Sequence, residues 1–287
     1  MPKRDVAKGP AVSAPLPEGA LVGQGDEQLG SNQSRRRSQI GKERAVRGLS
    51  ETVSILQKIG FDATAYLPKS FVMAIENLLR KDDIENFRLE MKLGFSQDLP
   101  YFFAGAFMFP ATIRAVTNGT TVQGIISSMT AATLRGYKLH AVKGGPWPAL
   151  SPSNDPRDEV TGMAVFGLHD SQRQSIHRFY GGMFDFKRAI IEIEMFEGVV
   201  IPLEVGVYVW NRSDDDLIPT ELATWDPNEM LRSDWLQIIF EQVRPEEIAL
   251  ETGDGHTEAR AETETWTRLA KLPALSGSMS SKSGVKR

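Results

Sequence analysis

Cysteine is absent from this chain of 287 residues. That removes disulfides, thiolate metal sites and cysteine nucleophiles together, and an intracellular, cytoplasmic setting fits it best. The histidines His140, His169, His177 and His256 fall at spacings that match no metal-ligand motif, so neither a metal nor a cofactor is expected. No apolar run reaches the roughly 18 residues that a membrane span needs, and the first residues hold no apolar stretch of the secretory type. The net charge of −4 gives no general attraction to nucleic acid. Patterns of the G-x-S-x-G and P-loop kinds are missing too. What these absences leave is a soluble protein for which neither a nucleic-acid nor a membrane partner is expected, its oligomeric state open.

What is present suffices for a core: 41% of the residues are hydrophobic and 24% charged. The length allows one large or two small domains at roughly 100–200 residues each. Residues 1–48 are rich in Gly, Pro, Ser, Gln and charge, and include Arg35-Arg36-Arg37. Such a segment buries too little apolar surface to offset the entropy of ordering it, so a disordered basic tail is expected. Residues 49–99 read as a helical extension. Val53, Leu56 and Ile59 share a face before a stop at Gly60, Pro68 opens a second helix, and a third lies around Asp82 to Leu93. Residues 100–245 carry the main domain with a C-terminal helix from Met230 to Val243. Residues 246–287, ending in a Ser/Gly/Lys run from Ser276, read as a mostly disordered tail.

The main domain opens on Tyr101-Phe-Phe-Ala-Gly-Ala-Phe-Met-Phe-Pro110. An aromatic run that empties into Gly105 and then meets Pro110 is the pattern of a buried strand, a tight loop and a helix start. Gly105 lets a ligand or a backbone approach closely, and the loop N–H groups can face an anion; an ordinary strand-to-helix turn has the same pattern. Strands are expected over Ala131–Val142, Glu159–Leu168, Arg188–Phe196 and Ile201–Trp210, the last two as a hairpin turned at Gly198. A short helix is expected over Ser171–Phe179. Strands without a regular βαβ repeat give an α+β class with a mixed, barrel-like sheet.

In order and spacing these pieces resemble the gamma-glutamylcyclotransferase-like family, which includes the plant avirulence-induced-gene proteins. The residues that carry the resemblance are Phe102 to Pro110, Ala132-Thr-Leu134-Arg-Gly136-Tyr137, Trp147-Pro-Ala-Leu150, Val160-Thr-Gly162, Phe179-Tyr-Gly-Gly-Met-Phe184 and Val205 to Trp210 with Tyr208. The resemblance covers roughly residues 100–212. It implies a small mixed α/β barrel with a cavity at the glycine loop. Ala104, Gly105, Ala106, Phe107, Met108, Trp147 and Tyr208 would then contact the substrate. The family reaction is intramolecular: the α-amine of a γ-glutamyl group attacks its own γ-carbonyl, expels an amine and closes 5-oxoproline. Orientation, proton transfer and oxyanion stabilisation are what the protein supplies.

The chain departs from the family where its glutamate moves the proton, because Tyr180 stands there. Forming phenolate at pH 7 from a group titrating near 10 costs about 4 kcal/mol. That is about a thousandfold in rate, close to what general-base catalysis supplies at all. Asp185, five residues on, is a candidate substitute, with Glu192, Glu194 and Glu204 on the strands behind it. Alanines at 104 and 106 make the loop greasier. Three functions are compatible: a cyclotransferase acting on a γ-glutamyl or glutathione-derived molecule, a repurposed small-molecule biosynthetic enzyme with an apolar pocket, or a silent binding protein. Limited proteolysis should trim residues 1 to about 48 and 276–287 and leave a stable core of residues 50–245. A protected N-terminal segment would contradict that division.

Overall fold

The computed structural model describes residues 46–62, 65–93, 99–118 and 120–252. Of the disordered tails expected at 1–48 and 246–287, residues 1–45 and 253–287 lie outside the described residues. The helices form where their apolar spacing places them: α1 (Leu49–Ile59), α2 (Lys69–Glu76) and α3 (Lys81–Leu93). Gly60 ends α1 at φ 99°, its N–H bonding back to Leu56 and Gln57. Residues 46–48 belong to the folded part, not to a tail. Val46 bridges to Asn77, and Arg47, 5% exposed, reaches Glu51 and Glu194.

The strand-rich segment then runs β1 (Tyr101–Phe103), α4 (Pro110–Thr117), α5 (Val122–Ser127), β2 (Met129–Arg135), β3 (Tyr137–Ala141), β4 (Pro148–Pro152), β5 (Glu159–Val165), α6 (Asp170–Tyr180), β6 (Phe184–Glu194) and β7 (Val200–Trp210). Five strands close a barrel in the order β1-β5-β2-β6-β7. All pairings are antiparallel except β1 with β7. The single strand expected over 131–142 is two. Gly136 turns at φ 72°, after which β3 leaves the barrel and pairs with β4 as a ribbon, with a single bridge from His140 to Thr224. The expected β6–β7 hairpin forms, with Phe184 opposite Trp210 and Glu194 opposite Val200.

Pleating divides the core. Phe102 joins Leu134, Val160, Ala164, Ile191 and Val207 on one side. Its neighbours Tyr101 and Phe103 join the helix residues Phe71, Ile75 and Ile113 on the other. The N-terminal helices therefore share a core with the barrel. Two helices complete it, α7 (Pro227–Leu231) and α8 (Asp234–Thr252). The last of these passes Pro245, where a helix end and a tail were expected. What holds it is a pair of glutamates just beyond the proline. Glu246 bonds the Arg114 side chain at 3.0 Å and the Val122 N–H at 2.7 Å, and Glu247 accepts from the Ser70 N–H at 3.1 Å. These bonds also satisfy the first turns of α2 and α5, whose N–H groups lack intrahelical partners.

Gly162 is where an added Cβ would meet backbone of a neighbouring barrel strand. A Cβ there would run into the Phe103 carbonyl oxygen and lie 2.7 Å from the Phe102 ring. Gly162→Ala should therefore cost about 3 kcal/mol, at the upper end for overpacking, in urea unfolding followed by far-UV CD. A change below about 0.5 kcal/mol would mean that β1 yields at no cost.

Candidate functional site

The loop after β1 is built as its residues dictate. Gly105 sits at φ 91°, ψ −146°, followed by a 3-10 turn over Ala106–Met108 and then Pro110 as the first residue of α4. The turn ties the Met108 N–H to the Gly105 carbonyl and the Phe109 N–H to that of Ala106. Its own bonds do not use the N–H groups of Ala106 and Phe107. What approaches Gly105 is protein. Pro148 of β4 packs where a side chain would be, its Cγ 2.5 Å from the position a Cβ would take. The missing Cβ thus docks the β3–β4 ribbon on the loop.

Between loop and ribbon lies a cavity of about 40 Å³. Six of the residues expected at the site line it: Ala104, Ala106, Phe107, Trp147, Tyr180 and Tyr208. Three do not. Gly105 lies under Pro148, and Met108 is wholly buried in the core. Asp185 is exposed on β6, where it accepts a hydrogen bond from Asn211 Nδ2 at 3.0 Å. Strand alternation gives the reason: Phe184 lines the cavity, so Asp185 faces away. Glu192 and Glu204 pair with Arg135 and Arg188 at the surface, and Glu194 with Arg47. The remaining wall is Phe102, Leu139, Pro148, Leu150, Phe179 and Phe184, which contains no ionisable group. Among the described residues no three His, Cys, Asp or Glu side chains gather as metal ligands, and no helix is long and apolar enough to cross a membrane.

Tyr180 and Tyr208 stack face to face, ring centroids 3.9 Å apart and planes inclined by 12°. Burial pushes the Tyr180 phenol well above the ordinary value of about 10. Burial, with Tyr101 beside it, does the same to Tyr208. Phenolate at this site is thus costlier than the sequence alone implies. The Tyr180 hydroxyl finds no hydrogen-bond partner among the described residues. Tyr208 has one in His177, whose Nδ1 lies 2.8 Å from its hydroxyl, while Nε2 lies 3.3 Å from the Tyr101 hydroxyl. Burial first, and the Arg173 guanidinium second, hold the His177 imidazole below its usual range. Sequence reasoning weighed His177 only as a metal ligand. Its spacing of three from Tyr180 on a helix was the available signal, since residues i and i+3 share a face.

Tyr208→Phe should cost about 1 kcal/mol in urea unfolding, the usual worth of one hydrogen bond. Tyr180→Phe should stay within about 0.5 kcal/mol, as for a hydroxyl that bonds nothing in the fold. Equal losses would place a structural bond on Tyr180.

The family model described as gamma-glutamyl cyclotransferase, AIG2-like, matches residues 101–227. Protein AIG2 A of Arabidopsis thaliana is 29% identical over 131 residues, 46% of this chain and 69% of that protein. A solution structure of another Arabidopsis thaliana protein aligns at TM-score 0.37 with 19% identity, over 57% of this chain and 98% of its own. A gamma-glutamyl cyclotransferase structure aligns at TM-score 0.33 with 18% identity, over 60% of this chain and 98% of its own. Through residues 101–227, from the barrel-closing strand to the start of α7, the chain matches the gamma-glutamyl cyclotransferase, AIG2-like family.

Proposed function

We propose that the cavity is a repurposed member's small-molecule site, taking a neutral, largely apolar carbonyl compound in place of a zwitterionic γ-glutamyl group. One observation carries this reading: the cavity wall holds no carboxylate, and Tyr180 stands where the family places its glutamate. A γ-glutamyl group brings an α-ammonium that must lose its proton before attack. The group at the family glutamate's position is the Tyr180 phenol, which does not accept that proton at neutral pH without a cost above about 4 kcal/mol. The cavity holds only a few small groups, given that a single water needs roughly 10–15 Å³ by the same measure. A ligand would seat a slender polar end there. Its apolar remainder would rest on the half-buried rim of Trp147, Tyr180 and Phe184.

Cyclisation of a γ-glutamyl or glutathione-derived substrate with amine release is the second reading. The match to the family model favours it, as do the Ala106 and Phe107 N–H groups, which the loop turn's own bonds leave unused. Such donors suit a developing oxyanion. They lower the barrier of the second step, but they do not replace the base needed for the first.

Two measurements separate these readings. Release of 5-oxoproline from γ-glutamyl-alanine should fall about a thousandfold below the usual enzyme range of 1–10³ s⁻¹. Tyr180→Glu should raise it. Benzamide, a neutral aryl carbonyl probe, should bind by NMR titration at least tenfold more tightly than γ-glutamyl-alanine, about 1.4 kcal/mol. Turnover near 1 s⁻¹ by the unaltered chain, or tighter binding of the dipeptide, would reject the apolar-ligand reading.

A further inference from the structure

We infer that His177 and Tyr208 form a proton relay joining the cavity to solvent, so that the site donates and accepts protons without the family carboxylate. This rests on the reading of the cavity as a ligand site. Tyr208 is 6% exposed and lines the cavity, while His177, at the outer end of the bond between them, is exposed. The 2.8 Å separation of the Tyr208 hydroxyl from Nδ1 is that of a well-formed hydrogen bond, and Nε2 has the Tyr101 hydroxyl at 3.3 Å. The two ring nitrogens thus serve two phenols. A neutral imidazole donates through one nitrogen and accepts through the other, so its two tautomers correspond to the two directions of proton flow.

The step balances without any other group. Tyr208 Oη–H gives its proton to a carbonyl oxygen or amine nitrogen of the ligand. Nδ1–H of His177 gives its proton to the Tyr208 oxygen, and Nε2 takes one from solvent, directly or through Tyr101. The imidazole has changed tautomer, and the proton on the ligand has come from water. Tyr208 therefore acts as acid or base without existing as free phenolate, the state that burial makes costly. The groups facing the imidazole are Tyr101 of β1, Tyr208 of β7, the Phe186 ring of β6 and Arg173 on its own helix. Among the described residues no carboxylate is in contact with it. The imidazole consequently stays neutral, and able to pass a proton in either direction, to lower pH than usual.

Exchange of the Tyr208 hydroxyl proton with water tests this in the full chain without a ligand, read from the deuterium isotope shift of ¹³Cζ-labelled tyrosine. The exchange rate should follow the protonation of His177, measured by ¹⁵N NMR, with a midpoint below about 6.5. His177→Asn keeps an amide near the Nδ1 position but has no second nitrogen that titrates. It should slow the exchange at least tenfold at pH 7 and abolish the dependence. Exchange within twofold of the unaltered chain in that variant, or a rate that ignores His177 titration in the unaltered chain, overturns the relay. Benzamide binding to the unaltered chain tests the ligand reading separately, so the two can fail independently.

Discussion

A strand of three residues closes the barrel, and the cavity exists because of that closure. β1 is hydrogen-bonded to β5 on one side and β7 on the other, antiparallel and parallel respectively. Every residue of it is buried. With so few ladder bonds, its position depends on packing. Gly162 lets the Phe103 carbonyl lie against β5, and Phe103 and Phe107 stack at 5.2 Å as the chain leaves the barrel. The Gly105 turn then delivers Ala106 and Phe107 to one side of the cavity while β7 delivers Tyr208 to the other. Any shift of β1 along β5 would move both walls at once.

Much of this fold is legible in the chain. Gly60, Pro110 and Gly198 punctuate it where backbone chemistry requires, and alternation in β6 and β7 shows their pairing directly. Two features resist reading. Gly136 sits inside an alternating run, and only its positive φ reveals that the run is two strands belonging to different sheets. The end of α8 depends on Glu246 and Glu247 meeting Arg114, Val122 and Ser70, contacts separated by more than a hundred residues. Local propensity at Pro245 points the other way, and the tertiary contacts prevail.

The candidate site is legible to a different degree. The motifs that carry Ala104, Ala106, Phe107, Trp147, Tyr180 and Tyr208 meet at one cavity. Nearness in sequence to Tyr180 points to Asp185, but strand periodicity turns it outward. His177 was passed over because its partners are phenols of two distant strands, which no spacing rule connects to it. Seven of the twelve wall residues are aromatic. Trp147 meets Trp235 edge to face at 4.7 Å, and Phe179 meets the same indole at 5.6 Å, so two walls lean on α8.

That dependence separates the unit of inheritance from the unit of folding. The family segment ends at residue 227, before α8 begins, and starts after α1 to α3. Yet Phe71 packs on Phe109 at 4.6 Å, Phe240 on the same ring at 5.5 Å, and Trp235 on the cavity walls. A fragment cut at the homology boundaries would leave those aromatic faces open to water. Once the flanking helices had joined the common core, the barrel could no longer be passed to another protein without them.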